Sequence, residues 1–147
     1  MKDSSKARYA VAALVDLASQ PVHQPTTLAA IAKRQEISVS YLEQLFAKLR
    51  AGGLIKSVRG PGGGYILARP GEQITIADIY GAVFEPGDGG PSAQAGAQAE
   101  GGATLRFHME GLWHAMEMEI GKFLQSVTVH DVLSGKLAAP PRPVSAE

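Results

Sequence analysis

Two groups of side chains in this 147-residue chain have types and spacing that point to chemistry, and neither has the makings of an active site. The first is the polar set Ser40, Tyr41, Glu43, Gln44, Lys48 and Arg50, interleaved with Leu42, Leu45, Phe46 and Leu49, which recur at intervals of three and four. A helix with that repeat buries its apolar stripe and offers the polar set to water or to a partner. Taken alone, such a face is that of any wet helix. The second group, Arg59 and Gly60, begins the stretch RGPGGG, set between two short apolar runs at 54–58 and 65–68. Consecutive glycines permit the positive backbone dihedrals of a hairpin turn. An arginine at the base of such a hairpin is placed to enter a DNA minor groove, where narrow A·T-rich stretches concentrate negative potential.

Other chemistries are poorly served. A glycine-rich loop can cradle phosphate, but here the glycines lead into a strand instead of a helix, and neither GK[ST] nor GxGxxG spacing is present. No carboxylate pair, nucleophile and base, or metal-ligand spacing stands out, so an enzyme is not expected. The chain has no cysteine, which excludes disulfides, thiol nucleophiles and thiolate metal sites.

The elements that must position the two groups can be read around them. Residues 4–19 pattern as a first helix, with Ser4 or Ser5 as its cap and Tyr9, Val11, Ala12, Leu14, Val15 and Leu17 as its apolar members. Its early basic residues Lys2, Lys6 and Arg8 are candidates for phosphate contact across a groove. Thr27 caps a short helix, LAAIAKRQ; EISVS is a turn anchored by Ile37 and Val39; and Ser40 begins the next helix, which ends at Gly52 and Gly53. Two short helices joined by a tight turn and followed at once by a glycine-tipped hairpin make a winged helix-turn-helix. Thr75 then caps a helix over 75–83, with Ile76, Ile79, Tyr80 and Val83 closing the core under the wing.

Beyond residue 84 the character changes. Residues 86–103 hold six glycines and five alanines and no larger aliphatic side chain, so that stretch is expected to be mobile. Residues 105–128 form the longest helical pattern, with Met109, Leu112, Trp113, Met116, Ile120, Phe123, Leu124 and Val127 as a broad apolar stripe. Such a stripe exceeds what a small winged helix can cover, and pairing with the same helix of a second copy is its expected use. Residues 129–133 read as a short helical return. The fold expected is therefore mainly α with a small β wing. A DNA-binding winged helix-turn-helix spans 1–84 and a flexible loop 85–104; a dimerisation helix with its return spans 105–135, and a disordered tail 136–147.

Charge supports a nucleic-acid partner despite a formal net charge of zero. Residues 1–80 carry ten Lys or Arg against six Asp or Glu, whereas 81–147 carry four against eight. No apolar run approaches a membrane span and no leader pattern opens the chain, so a cytoplasmic protein with no membrane partner is expected.

The run SYLEQLFAKLRAGGLIKSVRGPGGGY closely resembles the signature of the bacterial winged-helix regulators typified by IscR, the iron–sulfur cluster regulator, and its nitric-oxide-sensing and iron-sensing relatives such as NsrR and RirA. SKARYAVAALVDLA, TIADIYGAV and FLQSVTVHDVL extend the likeness over about residues 1–135. The resemblance implies a homodimer on a palindromic operator that represses or activates transcription. It places Ser40, Glu43 and Gln44 where relatives read base edges and Arg59 on the wing arginine. The pairing chemistry agrees, since Gln suits adenine, Glu accepts from cytosine N4 and Ser serves either. Tyr41 and Arg50 then become phosphate contacts.

The departure from the family is equally informative. Cluster-binding members carry three cysteines in the segment matching 86–103, and often a histidine just beyond. Here that segment holds Ala93, Ala95, Ala97, Ala99 and Ala103, followed by His108. Ala93 with Ala99, or Ala97 with Ala103, would match a cysteine pair separated by five residues. No cofactor is expected in this chain, while a 2Fe–2S cluster is expected in cysteine-bearing relatives or in an unmodified parent. Two explanations stay open: alanines that replace cysteines to fix the cluster-free form, or a natural member that senses a small metabolite or a partner protein without a cluster.

Overall fold

A computed structural model describes residues 4–84 and 103–137; most of the expected flexible loop and of the expected tail falls outside them, while Ala103 and Thr104, expected in the loop, already belong to a helix. In chain order the elements are α1 (Ser4–Ala18), α2 (Leu28–Gln35), α3 (Val39–Ala51), β1 (Ile55–Val58), β2 (Gly64–Leu67), a 3-10 turn (Gly71–Gln73), α4 (Ile76–Val83), α5 (Ala103–Ser126) and α6 (Val129–Leu133). The architecture is the expected one, mainly helical with a single two-stranded antiparallel sheet.

Helices α2, α3, α4 and α6 each begin where a side chain satisfies an amide group that a helix leaves unpaired at its first turn. The Thr27 hydroxyl accepts from the Ala30 N–H at 3.1 Å, as expected. Thr75 and Asp78 form a reciprocal capping box at α4, and Thr128 and Asp131 form a second at α6. The backbone N–H of Thr128 donates to the Asp131 carboxylate at 3.0 Å, which holds that group below the usual carboxylate range against the opposing effect of desolvation.

The start of α3 differs from expectation. Its cap is Ser38, which accepts from the Tyr41 N–H at 3.2 Å, while Val39 and Ser40 already lie in the helix. Helix α2 ends at Gln35 as expected, with Glu36 left-handed at φ 56° as its C-cap, and the turn from Glu36 reaches the α3 cap at Ser38. Ile37 is buried as expected, but Val39 is 42% exposed because it stands a turn before Leu42, where the core has ended. Likewise Ser4 and Ser5 are both helical, so neither caps α1. The core face of α1 is Ala7, Ala10, Ala13, Leu14 and Leu17, whereas Tyr9 is exposed.

One hydrophobic core runs from α1 to α6. Phe46, Leu42, Leu45 and Leu49 of α3 pack with Leu14, Ile31, Leu54, Ile79 and Val83, all but fully buried. The return after α5 is part of this core. Ile76 N–H donates to the Val127 carbonyl and Val129 N–H to that of Ile74, both at 2.8 Å, and Val127 and Val129 are buried. Val127 thus leaves the exposed stripe with which its spacing grouped it.

Sequence pattern gives no hint of the buried polar link between α1 and α2. Asp16, its side chain 3% exposed, accepts from Arg34 Nε and Nη2 at 2.9 and 2.6 Å and from Gln35 Nε2 at 2.8 Å. Burial alone would push its carboxyl up; the hydrogen bonds from Arg34 and Gln35, with the guanidinium charge, outweigh it and hold the group below the ordinary range. A bidentate pair of this kind fixes orientation as well as distance. Asp16→Ala is expected to destabilise the protein by about 1–3 kcal/mol, less than for a fully buried pair because Arg34 can re-solvate. Because the folded-state value is depressed, the contribution is complete above about pH 4 and lost as pH falls through the lowered value. Denaturant titrations from pH 7 downward should show wild type losing this increment below pH 4 and Asp16→Asn losing less; parallel curves would refute the assignment.

Candidate nucleic-acid interface

The same four apolar residues that seat α3 in the core decide what it shows to solvent. With Leu42, Leu45, Phe46 and Leu49 buried, Ser40, Glu43, Gln44, Ala47 and Arg50 are all exposed. At helical spacing 40, 43, 44, 47 and 50 succeed one another along one face. Ala47 at its centre was not singled out by its sequence, because alanine carries no polar signal; the i+3 and i+4 steps from Gln44 and Glu43 find it. A methyl group there suits contact with a thymine methyl.

Tyr41 is placed differently from its neighbours. Half-buried, it meets the Tyr9 ring edge-on at 5.5 Å between centroids, an arrangement that ties the first turn of α3 to α1. Lys48 is also half-buried, with Nζ 3.5 Å from the Val83 carbonyl at the end of α4. These two side chains seat the helix on its neighbours.

The wing stands against α3 through the Tyr65 ring, 5.0 Å from that of Phe46 and nearly perpendicular to it. Its strands pair Ile55 with Leu67, Lys56 with Ile66, Ser57 with Tyr65 and Val58 with Gly64. Arg59 follows directly, exposed, and Gly60 has φ 97°, a conformation that L side chains rarely adopt. Lys56 and Ser57 are exposed along β1 and extend the polar surface of the wing. Close to the same turn, Thr26 forms a bridge with Tyr65, exchanging backbone hydrogen bonds of 3.0 and 2.8 Å. Gly64 is required by that approach, since a β carbon there would lie 2.5 Å from the Thr26 carbonyl oxygen. The wing is thereby held along β2 as far as Gly64, and Arg59 to Gly62 stand exposed beyond that contact.

Lys6 and Arg8 are not brought onto this face. Lys6 is half-buried, with Nζ 5.3 Å from the centre of the Phe84 ring. Arg8 lines a groove between α1, α4 and α6 together with Val11, Val15, Ile76, Tyr80 and Val132, and no residue of α3 contributes to it.

The residues present do not fit an iron–sulfur cluster. There is no cysteine to supply thiolate, and among the described residues no three His, Asp or Glu side chains gather as a metal site. His108 is exposed on α5, its ring 6.4 Å from that of Phe107. Among the described residues no helix is long and apolar enough to cross a membrane.

Comparison with known proteins agrees with this geometry. The family model Rrf2, described as an iron-dependent transcriptional regulator, matches residues 3–135. The transcriptional regulator IscR of Cereibacter sphaeroides is 42% identical over 142 residues, which cover 93% of this chain and 90% of that protein. IscR of Vibrio parahaemolyticus is 42% identical over 134 residues, covering 91% and 78%. Among solved structures, T. potens IscR superposes with a TM-score of 0.72 at 35% identity, covering 96% of this chain and 94% of that one. CymR, the global cysteine regulator of B. subtilis, gives 0.73 at 33%, covering 91% and 97%. The likeness runs through the helix-turn-helix, the wing, the long helix and its return, in proteins that regulate transcription and are not enzymes. The chain belongs to the Rrf2 family of winged-helix, DNA-binding transcriptional regulators.

Proposed function

We propose that this regulator binds a palindromic operator as a homodimer, in the manner of IscR without its cluster, and controls iron–sulfur biogenesis or related stress genes. The observation that carries the reading is the continuous exposed face of α3 beside a wing whose arginine is unburied. Ser40, Glu43 and Gln44 are the base readers, with Arg50 and Tyr41 toward the phosphates, Tyr41 through the part of its ring not packed on Tyr9. Arg59 and Gly60 carry the minor-groove contact. Lys6 and Arg8 would reach phosphate only from the flank, given where they lie.

The second copy is supported by α5. None of its residues is fully buried, and Phe107, Leu112, Trp113, Met116 and Phe123 are 76, 58, 44, 41 and 56% exposed. So much apolar surface on one helix marks an interaction site, and a closed two-fold pair covers it with itself. Two recognition helices would then lie roughly 34 Å apart, or a small multiple of that, on successive major grooves.

A second reading rests on the missing thiolates: a cluster-free regulator of the same fold whose signal is a small metabolite or a docked protein. The sign of regulation is the same question in both readings, namely whether the bound dimer blocks or recruits polymerase; we place repression first, as the simpler consequence of occupying an operator.

Two measurements test these proposals. In gel-shift titrations at physiological salt, the wild type should prefer a palindrome to its scrambled counterpart and bind as a dimer, whereas Arg59→Ala should bind roughly tenfold more weakly, with a salt slope lower by about one. Equal affinity for palindrome and scramble would refute the operator reading. In sedimentation experiments Met116→Glu should raise the dimer dissociation constant by roughly tenfold or more while leaving helix content unchanged. A wild type that is monomeric at all accessible concentrations would refute the pairing.

A further inference from the structure

A cavity of about 440 Å³ lies at the base of the wing, enclosed by the 20–24 loop, β2, the 3-10 turn and α6. Its size is that of a small-molecule site and too small for a docked helix. Leu17, Ile66, Leu67 and Leu133 give it an apolar lining, and His23, Arg69, Glu72 and His130 add polar groups. This combination of an apolar body with a few charged groups is the usual make-up of a ligand pocket.

The charged groups come as an opposed pair. The Arg69 guanidinium is held in place, its Nε donating to the Gln73 carbonyl at 3.1 Å and its Nη2 to Asp78 at 3.0 Å. The Glu72 carboxylate stands 3.8 Å from His130 Nδ1, and its side chain is 63% exposed. A purely apolar ligand would strip water from Glu72 and from the part of the Arg69 guanidinium that Gln73 and Asp78 do not engage. A simple carboxylate would meet Glu72, and a simple amine would meet Arg69. A zwitterion satisfies both.

We propose that this cavity binds a small α-amino acid with an apolar side chain. Its carboxylate meets Arg69 and an imidazole N–H, its ammonium meets Glu72, and its side chain lies on Leu17, Ile66 and Leu133. The proposal deepens the metabolite-sensing reading above and rests on it for its regulatory meaning. The walls lead straight to the DNA-facing surface. Ile66 and Leu67 pair with Lys56 and Ile55 of β1, the strand that Arg59 directly follows. The 20–24 loop continues into Thr26, which bridges Tyr65, and Tyr65 packs on Phe46 of the recognition helix. His23 in that loop has a left-handed backbone, φ 65°. A ligand that orders the loop against β2 therefore sets the wing relative to α3.

The test is calorimetric titration of the full chain without DNA, using L-norleucine, hexanoate and 1-pentylamine, which share an alkyl body and differ only in charged groups. Norleucine should bind saturably, and each single-charge probe roughly tenfold or more weakly. Glu72→Gln, at an exposed side chain whose loss should leave the melting temperature unchanged, should weaken norleucine about tenfold and leave hexanoate no weaker. Amide shifts on binding should centre on Gln24, Ile66 and His130. Absence of saturable norleucine binding, equal affinity for the three probes, or shifts centred elsewhere would each overturn the assignment. A subsequent operator titration with norleucine present tests the coupling separately, so failure to bind DNA and failure to bind the ligand are distinguishable.

Discussion

The burial of a single stripe on α3 is the constraint on which the rest of the structure depends. Leu42, Leu45, Phe46 and Leu49 can leave water only together, against α1, α2, α4 and the first residues of the wing, and each contributes about 1.5–3 kcal/mol by doing so. Once they are buried, helical geometry permits no choice about which side chains face outward. The exposed face at 40, 43, 44, 47 and 50 is the complement of the core. Phe46 serves both sides of this arrangement, since it is the largest fully buried side chain and also the surface on which Tyr65 seats the wing. A cavity at Phe46 would thus loosen the angle between helix and hairpin before it altered any residue of that exposed face.

The helices and hairpin were legible because each is written in local signals: apolar residues at three and four, Thr27 and Thr75 at the caps of α2 and α4, consecutive glycines at the tip. What escaped depends on contacts distant in sequence or on the backbone. Ser38 and Ser40 are equally good caps on paper, and the choice between them rests on Glu36 turning left-handed, which a non-glycine residue does rarely. Asp16 lies among apolar neighbours on α1, and its partners are eighteen and nineteen residues away. Val127 continues the period of the α5 stripe yet belongs to the core, because the chain there leaves the helix to form a bridge between Thr128 and Thr75. Of the candidate site, the polar face of α3 followed from its stripe, whereas the diversion of Lys6 to Phe84 and of Arg8 to the α1–α4–α6 groove needed the packing of helices that the sequence does not order in space.

That bridge also changes the meaning of the long helix. Paired capping boxes at Thr75 and Thr128 start α4 and α6 side by side, and the backbone bonds of Ile76 and Val129 hold the two starts together. The C-terminal end of α5 is therefore anchored within the DNA-binding core, while the exposed apolar side chains reach from Phe123 back to Leu105. A partner packed along that surface acts on a lever whose fulcrum is the core itself. Displacement of α5 is passed to α4 directly, and α4 is the helix whose terminal carbonyl at Val83 receives Lys48 from α3.

Reading and sensing are thus separable in this chain, as sequence composition suggests and packing explains. The exposed face of α3 depends on the buried stripe, and its setting beside the wing on the Tyr65 contact. What any signal must alter is relative position: of the two copies through α5, or of the wing through the 20–24 loop and β2. The second route is short, running from Thr26 across a single bridge to Tyr65 and Phe46, with Gly64 packed so closely on Thr26 that loop and strand move as one. A ligand acting there has no need of a long chain of coupled residues, only of a preference for one setting of the hairpin over another, and its effect on operator affinity is bounded by that preference.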